Sequence, residues 1–306
     1  MSAPQVEPSG ILLINKHAGA TSHDIVYKVR RAMHTKRVGH TGTLDPMATG
    51  VLVVLVGRAA KACEYVSHDR KVYKATLRLG LTTDTEDTTG TVLTTCETLP
   101  LPEQVKDVCE RFVGKIKQIP PMYSALKIDG QKLCDLARKG IEVEREAREI
   151  EIFSLSCEPT DKESDYILTV DCSGGTYVRT LCADIGAALV CGGVMATLER
   201  MQTGGFGPDE CVTTAELEQM DDDARLARLL PVEVLFADLP AVHLSDFYKR
   251  LCRNGCEIYQ SKIRTDFPVG QRVRICDQSG HFFALGEVRE YESGTAIAMI
   301  KLFELE

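Results

Sequence analysis

Residues 39–50 read Gly39-His40-Thr41-Gly42-Thr43-Leu44-Asp45-Pro46-Met47-Ala48-Thr49-Gly50, and Val51-Leu52-Val53-Val54-Leu55-Val56-Gly57 follows at once. Three glycines and a proline in the first stretch forbid an unbroken helix or strand and bend the backbone sharply. The second stretch, an uninterrupted run of β-branched and aliphatic residues, is the pattern of a strand buried on both faces. One carboxylate, Asp45, stands in the bend, and Pro46 keeps it out of the α region. An acid on a loop, anchored by a rigid strand, is the resulting arrangement. On its own an Asp-Pro pair is ordinarily a turn or a helix N-cap. Neither G-x-G-x-x-G nor G-x-x-x-x-G-K-[ST] is present, so the glycines do not read as a phosphate cradle.

Upstream, Ile11–Asn15 is a short apolar strand. Thr21 and Asp24 have the spacing of a capping box, and Ile25, Val26, Val29, Ala32 and Met33 repeat at helical intervals behind them. No acidic residue occurs between Ile25 and Leu44, while Lys28, Arg30, Arg31, His34, Lys36, Arg37 and His40 accumulate. Such a stretch suits either phosphate contact or a solvated helix face.

Downstream, Ala59–Val66 reads as a short helix. Lys71–Gly80 alternates polar and apolar residues as a half-buried strand, with Tyr73 on the side of Ala75, Leu77 and Leu79. Thr82–Gly90 is a polar turn and Glu103–Val113 a helix. After Pro120-Pro121, residues Met122–Arg148 leave the core as an excursion. Its small helix (Lys132–Lys139) is closed by Gly140, and Lys127, Lys132, Arg138, Lys139, Arg145 and Arg148 project from it. Strands at Ile150–Leu155 and Tyr166–Cys172 lead into Ser173–Thr180, which sets Tyr177 and Arg179 at the start of a helix over about Leu181–Leu189. An arginine there is either an ordinary surface residue or the partner a buried carboxylate needs. Residues 213–230 form one exposed charged helix, Pro231 and Pro240 bracket a linker, and Val242–Glu306 reads as a small all-β module of about 65 residues.

The chain of 306 residues, 44% hydrophobic and 26% charged, is ordinary for a globular protein. Its apolar runs are too short for a membrane span, and Met1–Gly10 lacks the pattern of a secretory signal, so a cytoplasmic protein is expected. The twelve cysteines and seven histidines show no metal-ligand spacing, and the cysteines read as small core residues in a reducing compartment. No metal and no cofactor are expected. A net charge of −8 opposes indiscriminate nucleic-acid binding and leaves the local basic stretches to do any gripping.

Gly39–Gly50 resembles the catalytic motif of the TruB family of pseudouridine synthases. The resemblance continues, in family order over roughly residues 10–230, through Lys71-Val72-Tyr73-Lys74, Ile119–Lys127, Gly140–Arg145 and Ser173–Thr180. It implies an α+β pseudouridine synthase fold: a central mixed, mostly antiparallel sheet flanked by helices, over residues 1–235 with an RNA-binding insertion at about 120–148. The tail, 240–306, resembles a PUA-like RNA-binding module. The implied activity is isomerisation of uridine 55 in the T loop of tRNA, by a monomer. By position, Asp45 matches the catalytic aspartate, Tyr73 the active-site tyrosine that stacks on the base and is the candidate proton acceptor, and Arg179 the arginine paired with the aspartate. His40 matches a histidine that contacts RNA as the base leaves the stack, and Leu198 a leucine of the uracil pocket. Tyr177, Lys127, Lys132, Lys139 and Arg145 are the further RNA-binding candidates. Gly174 and Glu199 depart from the family pattern, each by removing positive charge near the RNA. Two other readings are a non-catalytic tRNA-binding protein and a guide-RNA-dependent rRNA enzyme. The first has no need of Asp45, Tyr73 and Arg179 together, and the long basic insertion favours a stand-alone enzyme over the second.

Overall fold

The computed structural model of the chain describes residues 7–66, 70–124, 126–128 and 130–303. Residues 1–6 of the stretch searched for a signal, Ala125 of the Ile119–Lys127 motif, and residues 304–306 of the tail lie outside the described residues.

Strand β1 (Gly10–Lys16) leads to helix α1 (Ser22–Ala32), whose start is fixed by the reciprocal capping box of Thr21 and Asp24. Strand β2 (Val38–His40) precedes the glycine loop and β3 (Thr49–Val56) follows it. After a 3-10 segment, Gly57–Tyr65, come β4 (Lys71–Leu79), β5 (Leu81–Thr83), β6 (Val92–Thr95), α2 (Pro102–Glu110) and β7 (Gly114–Gln118). The insertion holds a minimal hairpin, β8 (Lys127–Ile128) and β9 (Gln131–Lys132), and α3 (Leu133–Ala137). Then follow β10 (Arg148–Pro159), β11 (Asp165–Cys172), α4 (Val178–Ala188) and β12 (Gly193–Thr203).

The large sheet runs β1-β3-β12-β4-β11-β10-β7, with β2 against β3. Its pairings are antiparallel except that of β12 with β3, which aligns Glu199 with Thr49 and Arg200 with Gly50. Here the glycine loop rejoins the sheet. A Cβ on Gly50, whose φ is +99°, would stand 2.3 Å from the Arg200 carbonyl oxygen, so only glycine lets the strands meet.

Helices α1, α2 and α4 cover one face, where Ile25, Val29, Val105, Leu181 and Ile185 pack on Tyr73, Leu77 and Leu168. On β3, Leu52, Val54 and Val56 face this core, while Val51, Val53 and Leu55 face a second one. That double burial explains the unbroken apolar run.

The second core is closed by the tail. The expected helix over 213–230 is two, α5 (Thr214–Gln219) and α6 (Asp222–Ala227), because Met220 is extended and Asp221 caps a new start by accepting the Ala224 N–H at 2.8 Å. The expected linker is packed: Val232–Phe236 forms a 3-10 turn, and buried Phe236 lies 5.9 and 5.7 Å, centroid to centroid, from Phe282 and Phe303. The tail is β-rich rather than all-β. It comprises β13 (Ala241–Leu244), α7 (Asp246–Arg253), β14 (Ile258–Tyr259), α8 (Gln260–Ile263), β15 (Arg272–Asp277), β16 (Phe282–Tyr291) and β17 (Gly294–Leu302), in sheet order β13-β15-β16-β17-β14. Helix α7 forms because Tyr248, Leu251 and Cys252 recur at helical spacing and pack on that sheet.

Phe282→Ala should therefore weaken more than the tail. A loss of about 3–5 kcal/mol in denaturant unfolding is expected, with amide exchange in β3 accelerated as well. Unchanged exchange in β3 would show the two sheets to be independent. All twelve cysteines are free thiols, and half of them, Cys172 and Cys182 among them, are buried. Among the described residues no helix is long and apolar enough to cross a membrane.

Candidate active site

The loop carrying Asp45 is gripped from three sides. Ser22, the first residue of α1, accepts the Leu44 N–H at 2.8 Å and donates to the Leu44 carbonyl at 3.1 Å. Lys16, at the end of β1 and fully enclosed, donates to the carbonyls of Ala20 (2.7 Å), His17 (2.9 Å) and Pro46 (3.2 Å). Burial lowers the Lys16 pKa to about 8; the Asp45 charge opposes that shift and Arg200 adds to it. From β12, buried Arg200 donates through Nε to the Val51 carbonyl at 2.7 Å and through Nη2 to that of Gly42 at 3.1 Å.

Asp45 itself is held by Arg179, the second residue of α4. Nε stands 3.0 Å from Oδ2 and Nη2 3.3 Å from Oδ1, a two-pronged pairing that fixes the carboxylate plane. The same guanidinium, 5% exposed, donates to the carbonyls of Tyr123 (2.7 Å) and Thr85 (3.1 Å) and lies 3.8 Å from Asp87 Oδ2. Asp87 is in turn oriented by the Thr85 hydroxyl and by the N–H and hydroxyl of Thr89, at 2.8, 2.9 and 2.6 Å.

Burial raises the Asp45 pKa above the ordinary carboxylate value. Arg179 opposes this without cancelling it, and Asp87 reinforces it. Two opposite pH effects follow. If Asp45 must be ionised, activity fails on acidification at a pH above that of an ordinary aspartate. Stability moves the other way: between the unfolded and folded pKa the native state binds more protons, so it loses stability as pH rises through that window. A single-turnover pH profile with an acid limb at or below about 3.9, the free aspartate value, would contradict this.

A cavity of about 300 Å³ opens beside Asp45, walled by Tyr73, Tyr177, Leu198, Lys71, Ser124 and Arg200. The Tyr73 phenol is enclosed; burial raises its pKa, Arg200 opposes the rise through charge and a hydrogen bond, and the ring stays protonated at neutral pH. Across the Asp45–Arg179 pair lies a second cavity of about 560 Å³, bordered by His23, His40, Lys132 and Arg138. Burial, with the Arg200 charge adding to it, lowers the His40 pKa below the ordinary histidine value.

The structure thus brings Asp45, Tyr73, Arg179, Tyr177 and Leu198 to one cavity and His40 and Lys132 to the other. Lys127 and Lys139 are exposed and border neither. Arg145 does not project as expected: its guanidinium turns inward to the Pro120 carbonyl at 3.3 Å, with Glu142 at 3.4 Å. Strand alternation puts Leu198 and Arg200 inward and Glu199 on the opposite face, in register with Lys74 of β4. Lys16, Asp87 and Arg200 were missed as site residues. The available signal for Arg200 was its period-two spacing from Leu198; Asp87 sat unmarked in the polar turn. Among the described residues no group of three or more His, Cys, Asp or Glu is arranged to hold a metal ion.

Residues 30–178 match the family model "TruB family pseudouridylate synthase (N terminal domain)", and residues 179–237 match "tRNA pseudouridylate synthase B C-terminal domain". The chain is 40% identical over 295 residues to tRNA pseudouridine synthase B of Clostridium kluyveri, covering 96% of this chain and 99% of that one. It is 43% identical over 273 residues to the protein of that name from Geobacter sulfurreducens, covering 87% and 89%. Among solved structures, a chain of a Cbf5-Nop10-Gar1 complex superposes with a TM-score of 0.74 at 23% identity, over 96% of this chain and 85% of that one, which shows a shared pseudouridine synthase fold. An aspartate loop braced by arginine, on that fold and with relatives alike over nearly their whole length, leaves one conclusion: the chain belongs to the TruB family of pseudouridylate synthases.

Proposed function

We propose that this pseudouridine synthase isomerises uridine 55 in the T loop of tRNA, acting alone and without a cofactor. The observation that carries the proposal is the two-pronged Asp45–Arg179 pair beside a small cavity walled by an aromatic ring and a leucine. The tRNA substrate is supported by relatives named tRNA pseudouridine synthase B.

Pseudouridine formation breaks the N1–C1′ bond, turns the uracil and joins C5 to C1′, with no net oxidation. The base is hidden in the folded loop and must be swung out. Tyr73 offers it a stacking face and Leu198 backs the slot. Asp45 supplies the anion, as nucleophile or as counter-ion to a developing cation at C1′. Arg179 holds that anion ionised and in plane. The Tyr73 hydroxyl is also the candidate acceptor for the step that needs a proton removed, with burial pushing the phenol pKa up and Arg200 opposing that rise. His40 and Lys132 border the neighbouring cavity, where the displaced RNA backbone would run.

The insertion lysines and the PUA-like tail grip the RNA. Neutralising Lys127, Lys132 and Lys139 together is expected to raise the apparent Michaelis constant. Each lost phosphate contact should reduce the slope of log affinity against log salt by about 0.7–0.9. An unchanged slope would remove these lysines from the interface. Incubating the purified protein with an unmodified tRNA transcript and mapping pseudouridine tests the whole reading; no product at position 55 would overturn it.

A further inference from the structure

Helix α4 starts without a cap of its own. Tyr177, extended in the N-cap position, makes no side-chain bond to the first turn. Its backbone is held instead from β7. The side chain of Gln118, the last residue of that strand and 2% exposed, accepts the Tyr177 N–H at 2.8 Å and donates through Nε2 to the Tyr177 carbonyl at 3.1 Å. The same carbonyl receives the Leu181 N–H at 3.0 Å, the first bond of the helix. One side-chain amide, donor and acceptor at once, therefore fixes the peptide planes on both sides of Tyr177.

Two groups of the site hang on that anchor. The Tyr177 side chain walls the cavity beside Asp45. Two residues on, Arg179 must meet both Asp45 oxygens and the Tyr123 carbonyl with one guanidinium. Gln118 and Tyr123 bound the short segment between β7 and the insertion, so that segment grips the first turn of α4 at both its ends. Gln118 itself lines neither cavity next to Asp45, so any effect it has on the chemistry passes through α4. We propose that Gln118 is a positioning residue for the reaction: by pinning the Tyr177 backbone it sets the Arg179 guanidinium in plane against Asp45. A small misplacement of such a group is costly to a reaction that depends on alignment. This inference rests on the proposed reaction and deepens it.

The test compares the full chain with Gln118→Met, which keeps the length of the side chain and loses both hydrogen bonds, and with Ile116→Val, a packing change on the same strand. In the free protein the Asp45 carboxyl, which faces Arg179, Asp87 and Lys16, is titrated by carbon-13 NMR, its signal assigned by its loss in Asp45→Asn. Gln118→Met should raise the Asp45 midpoint by about 0.5–1 pH unit, part of what a close guanidinium supplies. Single-turnover rate on saturating unmodified tRNA should fall by about 10- to 100-fold, with tRNA affinity within about twofold. Ile116→Val should leave both readings at the parent values. An unmoved Asp45 midpoint in Gln118→Met would make Gln118 a packing residue and overturn the proposal, as would an equal rise in Ile116→Val or a single-turnover rate equal to the parent's. Gln118→Asn, whose amide is one methylene short of reaching both Tyr177 atoms, carries the same readings if the methionine variant does not fold. The titration needs no turnover, so it decides the role of Gln118 separately from the reaction, which the parent protein's own assay at position 55 reads.

Discussion

Asp45→Asn is expected to abolish pseudouridine formation, by at least about 10³-fold in single-turnover rate, while tRNA affinity stays within a few-fold. Asparagine keeps the shape and can still accept from Arg179, so the loop gripped by Ser22, Lys16 and Arg200 should hold its course. What it loses is the negative charge, and with it both nucleophilicity and any stabilisation of a cation at C1′. Removing the buried carboxylate relieves an unfavourable ionisation but leaves the buried Arg179 guanidinium short of its counter-charge, so some loss of stability at neutral pH is expected. Near-normal turnover in this variant would remove Asp45 from the chemistry.

The second large effect is at Arg179. Its replacement by alanine leaves Asp45 buried near Asp87 without the opposing cation, and two carboxylates in such a place favour taking up a proton. Breaking a buried pair by removing one partner costs about 3–5 kcal/mol, or roughly 10²–10⁴-fold if it falls on the reaction barrier. It also orphans the Thr85 and Tyr123 carbonyls, so some of the loss should appear as stability. Lysine restores one charge but cannot span both Asp45 oxygens and two carbonyls, so Arg179→Lys should recover only a fraction. The distinguishing reading is the pH profile: the acid limb should move upward in Arg179→Ala. Full activity at neutral pH would refute the pairing.

What the residues announced and what they concealed divide along one line. The aspartate loop, β3 and Tyr73 were legible because their signals are local: glycine and proline in the bend, an apolar run, and strict alternation. The capping box of α1 was legible for the same reason. Lys16 was not, because a lysine ending an apolar strand looks like a solvated terminus; its burial is imposed by the loop after Pro46, thirty residues away. Asp87 acquires its place from a contact with Arg179 that no local pattern encodes. Two misread elements had local signals that charge obscured. Asp221 read as one more charge of a single helix over 213–230 and serves as the cap of a second one. Tyr248, Leu251 and Cys252 were hidden among the polar residues of α7.

The partners of Arg179 lie far from it along the chain: Asp45 by 134 residues, Thr85 by 94 and Tyr123 by 56. Contacts of such long range close late, after the intervening loops have given up their freedom. During synthesis the nascent chain already displays its aspartate while the guanidinium that orients it has yet to be made. The carboxylate and the guanidinium that orients it therefore come together only with the near-finished sheet.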